Sequence, residues 1–124
     1  MPTHTYGTFT KALAAGKLEP AYYFLGAENV LKDEATTALL DKVLDPGLRD
    51  FNLDIRSAQQ LEPEDVLSLC TTLPMMADRR VVVVRDVEAW KRKTRGKKAV
   101  LEYLEKPIPE TLLVLVQGAA SEAK

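Results

Sequence analysis

Four valines in succession at positions 81–84, preceded by Arg79 and Arg80 and followed by Arg85, constrain this chain more than any other feature. Two γ carbons stiffen the valine side chain and suit it to a pleated strand. Successive side chains of a strand point to opposite faces, so an unbroken apolar run must be covered on both. Such a strand belongs in the middle of a parallel sheet flanked by helices. The run at 111–117, with apolar residues at 112–116, repeats the demand.

The rest of the chain supplies the helices and two more strands. Thr8 is placed to cap a short helix carrying Phe9, Ala12 and Leu13 on one face, with Gly16 ending it. Pro20 then opens the aromatic run 21–25, read as a buried strand. Leu31, Ala35, Leu39 and Val43 recur every four residues, which predicts a helix over 29–44 closed by Asp45-Pro46-Gly47. Phe51, Leu53 and Ile55 alternate with polar neighbours, as in a half-exposed strand near a sheet edge. Glu62-Pro63-Glu64-Asp65 has the chemistry of a helix start. Val66, Leu69, Cys70 and Leu73 follow as a one-face stripe up to Pro74, which ends the helix. Gly96 is read as a break, after which 97–106 forms a helix with Val100, Leu101 and Leu104 inward. Alternating single helices and strands imply an α/β fold with three layers: a parallel sheet and helices on both faces, joined by right-handed crossovers.

Composition narrows the chemistry. The chain has 124 residues, 46% apolar and 28% charged, the size and balance of one globular domain. It carries 17 basic and 18 acidic residues, so it has no global basic field for nucleic acid. One cysteine excludes an internal disulfide and a multi-cysteine zinc site. Its apolar runs are too short to cross a bilayer, and its first residues lack the features of a secretory signal. A cytoplasmic protein without a membrane partner is expected.

In parallel α/β folds ligands bind at the carboxyl ends of the strands, so the turn after the first strand comes first. A phosphate loop needs G-x-x-x-x-G-K-[ST] there. This chain has Gly26-Ala27-Glu28-Asn29-Val30-Leu31-Lys32-Asp33. Leu31 stands where the second glycine lets the backbone curl round the anion, and Asp33 replaces the hydroxyl that binds magnesium. Glu28 and Asp33 oppose a polyanion, since like charge at about 4 Å costs roughly 1–4 kcal/mol. The expected fold is therefore P-loop-like without a working Walker A loop, and no cofactor is expected. Other catalytic groups are sparse. His4 is the single histidine and sits near the N-terminus. Cys70 belongs to an inward helical stripe, and Asp33-Glu34 and Glu62/Glu64/Asp65 are acids of the kind helix starts collect. The chain does not read as an enzyme.

Two segments read as contact surfaces. The first is Leu73-Pro74-Met75-Met76 with Arg79 beyond it. Two adjacent methionines in a turning segment cannot both point inward, and methionine suits adaptable binding surfaces. The second is the run 91–98, where Lys91, Arg92, Lys93, Arg95, Lys97 and Lys98 follow Trp90. Basic residues beside an aromatic can track a nucleic-acid backbone and stack a base.

Four stretches in this order resemble the N-terminal domain of the bacterial DNA polymerase III delta subunit family, the clamp-opening members of the clamp loader. They are 20–35 (PAYYFLGAENVLKDEA), 45–55 (DPGLRDFNLDI), 73–86 (LPMMADRRVVVVRD) and 103–117 (YLEKPIPETLLVLVQ). The resemblance implies an AAA+-like domain over 18–117 that binds no ATP, after an N-terminal tail and short helix at 1–17. It implies a non-catalytic role in DNA replication, within the DNA polymerase holoenzyme: gripping the beta sliding clamp and helping to open the ring. It also implies that Met75 and Met76 match the family's adjacent hydrophobic pair, that Leu73 and Pro74 shape the loop, and that Arg79 reaches acidic groups at the pocket rim. The usual pair includes an aromatic residue or leucine, so two methionines depart from it. Family chains continue into domains that assemble the loader, so residues 118–124 are expected to be a tail cut before them. Contacts with other loader subunits would go through those domains, and DNA is a partner in the assembled loader. Two alternatives stay open: a P-loop NTPase with an aberrant loop, and a nucleic-acid-binding module using 91–98.

Overall fold

A computed structural model of the chain describes residues 6–24, 29–74, 77–90 and 94–117. The valine run is β3 (Arg80–Arg85), and the second apolar run is β4 (Thr111–Val116). With β1 (Ala21–Phe24) and β2 (Leu53–Ser57) they form a parallel sheet in the order β1-β4-β3-β2. Val81, Val82, Val83 and Val84 are 0% exposed and pair with the run from Leu112 to Leu115 on one side and from Leu53 to Arg56 on the other. Each contributes roughly 1.5–3 kcal/mol by burial.

Helices cover both faces, as the alternation implies. On one face, α1 (Tyr6–Ala14) and α2 (Asn29–Val43) bring Phe9, Leu13, Leu39 and Leu40 against Val81, Val83 and Leu112. On the other, α4 (Pro63–Cys70) and α5 (Thr94–Glu105) bring Val66, Cys70 and Val100 against Val82, Val84 and Leu113. A single helical turn, α3 (Arg49–Asn52), precedes β2.

Gly16, at φ 78°, ends α1 through a Schellman pair: Gly16 N–H donates to Leu13 O and Lys17 N–H to Ala12 O, both at 2.9 Å. The start is not the expected one, because α1 begins at Tyr6 and Thr8 lies inside it. The strand β1 is an edge, and its Tyr23 is exposed rather than buried. Phe51 belongs to α3, not to a strand, because the turn capped by Asp45 winds on into a second one. Gly96 does not break α5. Its α-hydrogen faces α4 so closely that a Cβ there would lie 2.7 Å from Pro63 Cγ, so it is where two helices touch. Starting α5 three residues before the expected helix at 97–106 leaves Val100 buried and Leu104 half-buried, but turns Leu101 outward and brings Tyr103 inward.

Candidate functional site

The segment between α4 and β3 joins the sheet at the amino ends of the strands, opposite the end where a nucleotide would bind. Its base is built by the last turn of α4. A helix ends with four carbonyls lacking intrahelical donors. Here all four are satisfied. Thr71 N–H donates to Leu67 O at 3.0 Å, and the Thr71 and Thr72 hydroxyls donate to Ser68 O at 3.1 Å. Arg80 Nε donates to Leu69 O at 3.3 Å, and Thr111 Oγ1 donates to Cys70 O at 2.7 Å. The two threonine hydroxyls offer the backbone an alternative to another turn, so α4 stops at Cys70, four residues before Pro74. Leu73 thereby leaves the expected inward stripe and stands 77% exposed, while Pro74 is half-buried. Met75 and Met76 lie outside the described residues.

Arg80 anchors this base, and nothing in the sequence separated it from its neighbours. It is 7% exposed. Besides Leu69, its guanidinium donates to Phe51 O at 3.4 Å and pairs with Asp54, whose other oxygen pairs with Arg56 at 3.0 Å. Burial lowers the pKa of Arg80 from the ordinary arginine value, the electrostatic counterpart of desolvating a cation. Its position at a helix C-terminus opposes that cost. Arg79 is half-buried on the other side of the sheet. There burial, above all, raises the Tyr22 hydroxyl from its usual value, and the positive charge of Arg79 works against that rise.

The basic run is divided. Lys91, Arg92 and Lys93 lie outside the described residues; Arg95 and Lys98 are exposed on α5, and Lys97 is half-buried. Trp90 corrects the sequence reading. It is 3% exposed, and its indole N–H donates to Leu61 O at 2.8 Å. A ring packed among Val66, Val84 and Val100 presents no free face for a base, so stacking cannot come from this residue.

At the carboxyl ends of the strands, residues 25–28 lie outside the described residues. Lys32, the residue in the phosphate-lysine position, is buried and donates from Nζ to Gln117 O, just past β4, at 2.5 Å. Cys70 is fully buried. Burial pushes its thiol up to about 11, against a hydrogen bond from Tyr103 that lowers it. Such a thiol is protonated at neutral pH and is no nucleophile. Among the described residues no three His, Cys, Asp or Glu side chains gather to hold a metal ion, and no helix is long and apolar enough to cross a membrane.

Comparison with known proteins agrees with this architecture. The chain is 30% identical over 112 residues to DNA polymerase III subunit delta of Bacillus subtilis (strain 168), an overlap of 86% of this chain and 32% of the relative. Its fold matches the solved Bacillus subtilis DNA clamp loader delta protein (YqeN) with a TM-score of 0.84 and 25% identity, covering 91% of this chain and 35% of the other. The chain thus spans about a third of the length of these relatives. The family model for the DNA polymerase III delta subunit matches residues 22–123, and the chain belongs to that family.

Proposed function

We propose that residues 18–117 form a non-catalytic clamp-gripping domain, which binds the beta sliding clamp through the loop Leu73-Pro74-Met75-Met76 and helps open the ring for loading onto DNA. The observation that carries this reading is Leu73, 77% exposed directly beyond a fully capped helix end and two residues before the methionine pair. An apolar side chain held out on a braced base suits insertion into a partner's pocket. Burying each methionine is worth roughly 1.5–3 kcal/mol before ordering costs. An exposed ion pair contributes about 0–1 kcal/mol, so the apolar loop outweighs the basic run as a grip. Family membership supports the same partner, because a structural relative is described as a clamp loader protein. Arg79 at the pocket rim, contacts with other loader subunits through further domains, and DNA near 91–98 belong to this proposal.

Co-elution tests it. The chain and its cognate clamp should run as one complex in gel filtration, and a Leu73→Ser, Met75→Ser, Met76→Ser variant should run apart from the clamp. Co-elution of that variant to the same extent would remove the loop from the interface.

A further inference from the structure

We infer that Phe51 is a second apolar anchor for the clamp, alongside Leu73. This rests on the clamp-gripping reading and extends it to a residue 22 positions earlier in the sequence. Phe51 is 59% exposed, on the last turn before β2. A single exposed apolar residue is ordinary on a protein surface. Phe51 differs in how it is held. Its carbonyl accepts from Arg80 Nη1 at 3.4 Å, and the same guanidinium donates from Nε to Leu69 O at 3.3 Å. One rigid planar group therefore sets the spacing between α3 and the end of α4 from which Leu73 projects. The neighbouring Asn52 is fully buried, with its amide donating to Leu48 O at 3.2 Å, so α3 is fastened from below while Phe51 faces out.

Phe51 and Leu73 thus stand at the amino ends of the strands, on elements that one guanidinium joins. Two anchors on separate elements fix orientation as well as affinity, and aromatic residues, phenylalanine among them, are enriched at protein interfaces.

The test titrates the cognate clamp with the whole chain, with Phe51→Ser and with the Met75→Ser, Met76→Ser variant, and records melting temperatures for each. Phe51→Ser should weaken binding about tenfold with its melting temperature unchanged. Hydroxyl-radical labelling of the unsubstituted chain gives a second readout, in which Phe51 should be protected when clamp is added. Undiminished affinity of Phe51→Ser, or equal labelling of Phe51 with and without clamp, overturns the inference. If the methionine variant binds weakly in that case, the loop reading still stands. If Phe51→Ser weakens binding and the methionine variant does not, Phe51 is upheld and the loop reading falls. Self-association lost in Phe51→Ser while clamp affinity is kept would assign the face to a second copy of the chain and overturn the inference. Absence of clamp binding by the unsubstituted chain overturns both.

Discussion

Arg80 Nε lies 3.3 Å from Leu69 O, so the first residue of the central strand β3 closes the last turn of the helix before it. The nine residues between Cys70 and Arg80 are thereby tied at their neck, and Leu73 among them stands exposed beside a fixed base. The same guanidinium neutralises Asp54 and reaches Phe51, so one side chain joins α3, β2 and α4.

Arg80→Ala should therefore destabilise the fold by about 3 kcal/mol or more, because it leaves Asp54 without its buried partner. Urea denaturation measures this. Combining it with Asp54→Ala should cost less than the two single changes together, since the pair acts as a unit. Strict additivity would mean that the pair is not coupled.

Gly96→Ala tests the contact between α4 and α5. In an open helix this change gains about 1 kcal/mol from helix propensity. Here the new Cβ would lie 2.7 Å from Pro63 Cγ and closer still to Glu64 Oε1. Glu64 can swing away, but the proline ring cannot. Overpacking costs about 1–3 kcal/mol, so the melting temperature should fall rather than rise. A rise would show that the helices are not in contact there.

Stability should decline in alkali. Burial raises the Cys70 thiol from 9.0 to about 11 and the Tyr103 hydroxyl from 10.0 to about 12. Between those values the unfolded chain has lost protons that the folded chain keeps, so unfolding gains as pH rises. The contribution is complete below pH 9 and is lost on the way to pH 12. Melting scans should be flat in this respect from pH 7 to 9 and fall above it, and Cys70→Ala should flatten the early part of the fall.

Magnesium with ATP or GTP should leave the melting temperature unchanged. Lys32 already spends its ammonium on Gln117 O, which lies at the end of β4. A saturable rise in a thermal-shift titration would revive the NTPase alternative. Likewise, DNA affinity that is appreciable at about 50 mM salt and falls steeply above it would revive the nucleic-acid alternative, through the basic residues and without Trp90.

Much of this fold was legible in the sequence, and the misses share a cause. The valine run identified a central strand because burial on both faces leaves an unbroken apolar signature. The stripe Val66, Leu69, Cys70 foretold α4, but the same spacing carried it one turn too far, to Leu73. The Thr71 and Thr72 hydroxyls that stop the helix act through a bond to Ser68 O, which hydrophobic periodicity does not record. Gly96 looked like a break because glycine is a poor helix former, whereas its reason is the approach of Pro63 across 33 positions. Trp90 beside a basic run resembled a stacking platform, yet its N–H has a partner in Leu61 O and its ring lies in the core. Arg80 read as one of three arginines flanking a strand. Its burial follows from Asp54, Leu69 and Phe51, all distant in sequence.

The most direct test of the central claim is the dissociation constant of the cognate beta clamp for this chain, set against the Met75→Ser, Met76→Ser variant. Loss of two buried methionines predicts weakening of roughly 100-fold or more, at about 1.4 kcal/mol per tenfold. Equal dissociation constants for the two chains would contradict a hydrophobic grip on the clamp.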